Sequence, residues 1–230
     1  MSVERRTRVL AILFDCDGVL ADSEVLAHEI ETRVLAEIGL AYDNAEFRER
    51  FTGLSYPAFF EALERDGLTR LGRSIRAEIE PAMHARYLAA MKEQLQEVPG
   101  ALSCISRLRH KKAIASSSTS QALELKLRKL QMWDHFAPHI YCAEHVARSK
   151  PAPDIFLHAA AALAVRPEEC LVLEDSVNGI AAAVGAGMRV WGFRGGGHMD
   201  EAGGKRLIAT GAERLIADWT EAAALIRALE

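Results

Sequence analysis

Two pairs of acidic residues carry the chemistry of this sequence: Asp15 with Asp17, and Glu174 with Asp175. Each pair follows directly on a short apolar run, Val9-Leu-Ala-Ile-Leu-Phe14 in the first case and Cys170-Leu-Val-Leu173 in the second. Continuous apolar runs of this length fit strands buried on both faces, as in a parallel sheet. If the two strands are neighbours, four carboxylates share one crevice, and crowding like charges is costly without a cation. Oxygen ligands of this hardness suit Mg²⁺, which keeps several waters and takes one or two carboxylates. One pair alone would read as helix capping; two pairs at the ends of two buried strands favour a metal. Complementary groups occur elsewhere. Ser116 to Ser118 follow another apolar segment and can offer hydroxyl and backbone N–H groups to an anion at a helix start, although serines there also serve as N-caps. Lys150 lies in Ser149-Lys-Pro-Ala-Pro-Asp154, where prolines stiffen the chain and could hold the ammonium toward the crevice. Standing alone it would read as a solvated loop lysine.

The elements that must position these groups alternate between strand and helix. Lys112–Ala115, Pro138–Cys142, Met188–Phe193 and a stretch near Arg214–Ala217 read as further strands. Between them, Leu102/Ile105/Leu108 and Leu123/Leu127/Leu130 mark helix faces, and Asp154–Ala164, Val177–Ala186 and a segment from Thr220 read as helices. Gly192 to Gly204 reads as a glycine-rich loop. This alternation predicts an α/β fold, a doubly wound, Rossmann-like parallel sheet. Residues 22–92 read as helices only. There Leu26, Ile30, Val34 and Ile38 recur every four residues before Gly39, five aromatic and aliphatic positions from Phe47 to Leu63 follow, and Pro81 could open a last stretch to about Met91. The block is read as an inserted helical domain, with residues 1–21 and 93–230 as the core. Ligands in such sheets bind beyond the carboxyl ends of the strands, where Asp15–Gly18, Ser116–Ser118, Lys150 and Glu174-Asp175 all fall.

Composition narrows the function classes. The 230 residues are 50% hydrophobic and 26% charged, an ordinary globular balance rather than that of a disordered chain. With 28 basic against 32 acidic residues the net charge is −4, which speaks against nucleic acid as a partner. No apolar run approaches a membrane span or a secretory signal, so a cytoplasmic protein without a membrane partner is expected. The four cysteines have no paired spacing and read as reduced thiols. A monomer is the default.

Taken together, these positions resemble the haloacid dehalogenase-like hydrolase superfamily. Asp15-Cys-Asp-Gly-Val-Leu20 is similar to its first motif, Ser116 after Ala-Ile-Ala to the second, Lys150 before Pro-Ala-Pro-Asp to the third, and Glu174-Asp-Ser176 to the fourth. The helical insertion resembles the C1 cap of the phosphoglycolate phosphatase and β-phosphoglucomutase branch. The resemblance implies that Asp15 attacks phosphorus to give an aspartyl-phosphate, and that Asp17 protonates the leaving alkoxide and then activates water. It implies a Mg²⁺ site of Asp15, the Asp17 backbone carbonyl, Glu174 and Asp175, with Lys150, Ser116, Ser117 and Gly18 on the phosphoryl group. Thr52 and Gly53 resemble the cap's substrate-facing loop. Dehalogenases and phosphonatases of the superfamily lack the second acid, so Asp17 implies a phosphate monoester substrate, a sugar phosphate or another small phosphorylated metabolite. The mutase branch typically carries a His twelve residues after the nucleophile and an Arg in the cap loop. Here Ala27 and Tyr56 stand at those places, and His28 is rotated by about 100° on a helix. Both departures favour hydrolysis over the mutase alternative. A non-catalytic phosphometabolite-binding protein is a further alternative, although every proposed catalytic group is present.

Other signals read more plainly. The loop Gly195–Arg206 lacks the Ser or Thr that a phosphate-binding loop needs after Gly-Lys. The basic run Arg107, Arg109, His110, Lys111, Lys112 reads as a solvated helix end, where cations favour the dipole. The remaining histidines show no ligand spacing. Cys16, between two acids, is read as packing, with its reactivity blunted by the local negative field.

Overall fold

The computed structural model describes residues 8–51, 54, 56–197 and 199–229. Six strands form one parallel sheet: β1 (Ala11–Phe14), β2 (Lys111–Ala115), β3 (Ile140–Tyr141), β4 (Cys170–Glu174), β5 (Arg189–Phe193) and β6 (Arg214–Ile216), in the order β3-β2-β1-β4-β5-β6. The chain builds outward from β1 to β3, then returns to the other side of β1 for β4. The winding therefore reverses between β1 and β4, which places a ligand crevice at their carboxyl ends. The two apolar runs expected to be neighbours are hydrogen-bonded, with Phe14 opposite Leu173.

Every side chain of β1 and β4 is buried because helices cover both faces. On one face Leu13, Ala113 and Val172 pack with α8 (Asp154–Ala162), α9 (Val177–Gly185) and α10 (Glu201–Thr210). On the other, Phe14 meets Phe136 of α7 (Trp133–Phe136) at 5.7 Å and Trp219 of α11 (Trp219–Arg227) at 5.9 Å between ring centres. Truncating so enclosed a ring to alanine costs about 3–5 kcal/mol. The same face carries α5 (Ala101–Ile105) beside α11. Helix α6 (Ser120–Lys129) runs between β2 and α7 and is opened by a side-chain cap from Thr119.

The chain forms two compact units, residues 1–24 with 95–230, and residues 25–94. The second is helical, built of α1 (Ser23–Glu37), α2 (Asn44–Phe51), α3 (Tyr56–Asp66) and α4 (Arg76–Glu93), with no strand among its described residues. Its interior is an edge-on aromatic cluster in which Phe51 lies 5.2 Å from Tyr42 and 5.6 Å from Phe59. Asp66 accepts hydrogen bonds from Tyr42 Oη at 2.5 Å and Arg50 Nη2 at 2.7 Å beneath it.

Two expectations are corrected. Pro81 does not open a helix; it lies inside α4, which starts at Arg76. The start is fixed from a distance, because Glu64 of α3 accepts the backbone N–H groups of Ile75 and Arg76, so no local cap was there to be read. The glycine-rich stretch from Gly192 to Gly204 is not a loop throughout. Gly192 belongs to β5, and Gly203 and Gly204 belong to α10, capped by the Asp200 side chain. A Cβ on Gly204 would stand 3.0 Å from Arg194 Cδ and 3.1 Å from Leu215 Cδ1. These glycines allow close packing against the sheet rather than breaking the helix.

Candidate active site

The turn after β1 is closed on itself. The Gly18 N–H donates to the Ala21 carbonyl at 2.8 Å, and the Leu20 and Ala21 N–H groups donate to the Cys16 carbonyl. Gly18 takes φ +71°, a left-handed conformation that suits glycine. The Asp15 N–H donates to the Leu173 carbonyl at 3.0 Å, which ties the turn to the end of β4. Asp15, Glu174 and Asp175 are buried and bring one carboxylate oxygen each to within 4.8 Å of the others. Burial, then the charges of Glu174, Asp175 and Asp17, raises the Asp15 pKa well above the ordinary carboxylate range, although Lys150 opposes the shift. Three buried carboxylates with hard oxygen donors are a suitable set for a divalent cation.

Lys150 is no solvated lysine. Its side chain is buried, and Nζ donates to Asp15 Oδ1 and Glu174 Oε2 at 2.7 Å each, over the ring of Phe156. Burial works against the ammonium, yet the two carboxylates outweigh it and raise its pKa. The other Glu174 oxygen accepts from Ser176 N at 3.1 Å and Ser176 Oγ at 2.7 Å. Space for it comes from α9, where a Cβ on Gly179 would stand 1.9 Å from Glu174 Cδ.

The structure brings Asp15, Asp17, Lys150, Glu174 and Ser116 to the carboxyl ends of β1, β2 and β4. Asp175 joins them in the acidic cluster. Ser116 is buried at the end of β2, and its Oγ accepts the Ser118 N–H at 3.1 Å. Ser117 beside it is exposed. Thr52 and Gly53 lie outside the described residues.

Asp17 shows what the sequence reading missed. Its carboxylate accepts from Ser23 Oγ, from Lys126 Nζ and, at 2.8 Å, from Ser118 Oγ; Lys126 also donates to Ser118 Oγ at 2.9 Å. Burial alone would raise the Asp17 pKa, but Lys126 and the hydroxyl donors lower it. Lys126 falls on the same helical face as Leu123, Leu127 and Leu130, and a cation within an apolar stripe was the available signal. Cys16 is buried, and burial together with Asp17 raises its pKa.

Acids, lysines and a serine gathered at the switch point of a parallel sheet are groups of the kind that phosphoryl transfer uses. Residues 9–187 match the family model of the haloacid dehalogenase-like hydrolases, and the chain belongs to that family. It is similar to 6-phosphogluconate phosphatase of Escherichia coli (strain K12), 28% identical over 81% of this chain and 83% of that one. It is also similar to hexitol phosphatase B of the same organism, 32% identical over 82% and 84% of the two chains. A solved family hydrolase from Deinococcus radiodurans R1, with bound phosphate and sodium, superposes with a TM-score of 0.84 at 34% identity, covering 96% of this chain and 97% of that one. The chain is accordingly a phosphoric monoester hydrolase. Among the described residues no helix is long and apolar enough to cross a membrane.

Proposed function

We propose that this chain is a Mg²⁺-dependent phosphatase of small phosphorylated metabolites, sugar phosphates in particular, working through an aspartyl-phosphate. The observation that carries the reading is the position of Asp15. It is buried between Lys150 and the Glu174/Asp175 carboxylates at the carboxyl end of β1. Asp15, the backbone carbonyl of Asp17, Glu174 and Asp175 would hold the cation, which supplies charge neutralisation for the phosphoryl group and its nucleophile. The Asp15 carboxylate attacks phosphorus, the P–O bond to the alkoxide breaks, and the phosphoryl group remains on Asp15 as an acyl phosphate. Asp17 protonates the departing alkoxide. In the second half Asp17 takes a proton from the water that attacks the acyl phosphate, releasing phosphate and restoring Asp15. The three donors on Asp17 favour its ionised, base form; the negative charge of a bound phosphoryl group raises its pKa for the acid half. Lys150, the Ser116 hydroxyl and the backbone N–H of Ser117 hold the phosphoryl oxygens; the Gly18 N–H, expected to join them, is instead given to the Ala21 carbonyl within the turn. Substrate choice is assigned to the helical unit, in the segment that contains Thr52 and Gly53.

The relatives named for 6-phosphogluconate and hexitol phosphates support this substrate class. In the helical unit, His28 is engaged with Asn44 at 3.2 Å and with the edge of Phe47. The test is a panel of sugar and small-acid phosphates with Mg²⁺, with EDTA, and with Asp15→Asn. Phosphate release that needs Mg²⁺ and vanishes in the variant is expected. Full activity of Asp15→Asn, or bisphosphate-dependent isomerisation of a hexose phosphate without phosphate release, would overturn the assignment.

A further inference from the structure

The turn that carries Asp15 and Asp17 is tied to the far end of the chain. The indole N–H of Trp219, the first residue of α11, donates to the Val19 carbonyl at 2.9 Å across 200 positions of sequence. Val19 and Trp219 are both buried. The other carbonyls of this turn take backbone donors: Cys16 accepts the Leu20 and Ala21 N–H groups, Ala21 accepts from Gly18, and Leu20 accepts the Val98 N–H at 2.9 Å. The last of these bonds joins the two segments by which the chain leaves the core for the helical unit and returns. They pair antiparallel, with Ala21 opposite Glu97 and the Asp22 N–H on the Gln96 carbonyl at 3.0 Å. Trp219 stands against the returning segment as well, since a Cβ on Gly100 would lie 3.2 Å from Trp219 Cβ. One side chain therefore meets the catalytic turn and the chain that runs back from the helical unit.

The indole is itself held firmly. Asp218 caps α11 by accepting the Glu221 N–H at 2.8 Å, and Glu221 accepts the Ala217 N–H at 2.7 Å. The ring packs against Phe14 at 5.9 Å and Phe193 at 5.3 Å between ring centres. A buried indole N–H commonly finds a partner for the sake of packing alone. In this fold burial does not require one: Trp191 of β5 is also buried, and its Nε1 has no hydrogen-bond partner among the described residues. A buried carbonyl deprived of its donor stays unsatisfied or moves to find another. Val19 is two residues from Asp17 in a closed turn, so such a move reaches the Asp17 carboxylate. Misplacing a reacting group by about 1 Å can cost on the order of 10²-fold in rate. We infer that Trp219 is a positioning residue for phosphoryl transfer, holding through Val19 the turn that aims Asp17 at the leaving oxygen. The inference rests on the acid role proposed above for Asp17.

The test compares phenyl phosphate with p-nitrophenyl phosphate in single-turnover reactions of the intact protein with Mg²⁺. The two substrates are similar in shape, but phenolate needs a proton on departure far more than nitrophenolate does. The ratio of the nitrophenol to the phenol release rate does not depend on the fraction of active enzyme, so a loss of stability alone leaves it unmoved. Asp17→Asn calibrates the readout and should raise the ratio about tenfold or more. Trp219→Phe keeps an aromatic ring and removes the N–H, and should raise it about threefold or more. Trp219→benzothienylalanine, which replaces the indole N–H by sulfur at nearly equal volume, should raise it likewise, and it decides the matter if Trp219→Phe does not fold. Trp191→Phe should lower the melting temperature and leave the ratio at the wild-type value. A wild-type ratio in the Trp219 variants, or an equal rise in Trp191→Phe, would overturn the inference while the phosphatase reading stands. An unchanged ratio in Asp17→Asn would refute the acid role of Asp17, and the inference with it.

Discussion

Gly179→Ala is expected to disable the acidic site by adding one methyl group. The new Cβ would stand 1.9 Å from Glu174 Cδ, 2.1 Å from Oε2 and 2.4 Å from Oε1, far inside van der Waals contact. A flexible carboxylate would swing aside at little cost, but this one is fully buried and held by Lys150 Nζ, Ser176 N and Ser176 Oγ. Moving it breaks a buried ion pair, which costs about 3–5 kcal/mol. Replacing glycine by alanine within a helix returns about 1 kcal/mol. The net loss is about 2–4 kcal/mol, or roughly 5–15 °C in melting temperature for a chain of this size. Displacing Glu174 also removes one of the anchors of Lys150 and one expected ligand of the cation, so turnover should fall on the order of 10²-fold or more. Gly185→Ala is the control, on the same helix. Its Cβ would meet Pro153 Cβ at 3.7 Å, an ordinary contact, so this variant should keep wild-type turnover and melt no lower. Melting curves and Mg²⁺-dependent hydrolysis of p-nitrophenyl phosphate decide the matter. Wild-type kcat and Mg²⁺ dependence in Gly179→Ala would refute the packing argument, and equal damage in Gly185→Ala would trace the effect to α9 as a whole.

Three further outcomes follow from the charges. Asp15→Asn, expected to be inactive, should be more stable than wild type in EDTA, because the raised Asp15 pKa means that its ionised form opposes folding. The gain, at least about 2 °C, should be absent below the unfolded carboxylate pKa, grow as pH rises toward the folded value, and shrink when Mg²⁺ is added; a lower melting temperature at pH 8 in EDTA would contradict it. Lys126→Met removes the ammonium that touches Asp17 and Ser118. Turnover should fall on the order of 10–100-fold, less than the loss of an acid–base group outright, with KM little changed and Lys126→Arg partly restoring kcat; a change confined to KM would place Lys126 elsewhere in the cycle. In the helical unit Asp66→Asn weakens bonds from Arg50 and Tyr42 and should cost about 1–3 kcal/mol near neutral pH. Burial opposes the Asp66 charge, but Arg50 and Tyr42 lower its pKa, so the difference should hold above the unfolded pKa and close as pH falls through the folded value. A gap that persists at low pH would mean that packing, not charge, carries the effect.

The strands that lead into Asp15 and Glu174 were legible because each is a short apolar run ending on an acid, and a strand buried on both faces leaves that pattern in any parallel sheet. The rigid Lys-Pro-Ala-Pro segment marked Lys150 for the same reason, a local constraint written in local residues. The parallel order could be argued from alternation, but that β1 and β4 are neighbours is a statement about long-range pairing. Lys126 was hidden because its partner Asp17 lies 109 positions away, and only the packing of α6 beside the first turn brings them together. The start of α4 was hidden because its cap comes from Glu64 on another helix. Gly203 and Gly204 resembled loop residues because glycine is ambiguous: the absence of a side chain can release the backbone or admit a neighbour, and only the neighbour's position, here Arg194 and Leu215, tells which. Patterns that repeat over one turn or one pleat are written in the amino-acid order. Contacts between elements arise when buried surfaces fit together, and that fit depends on the whole chain at once.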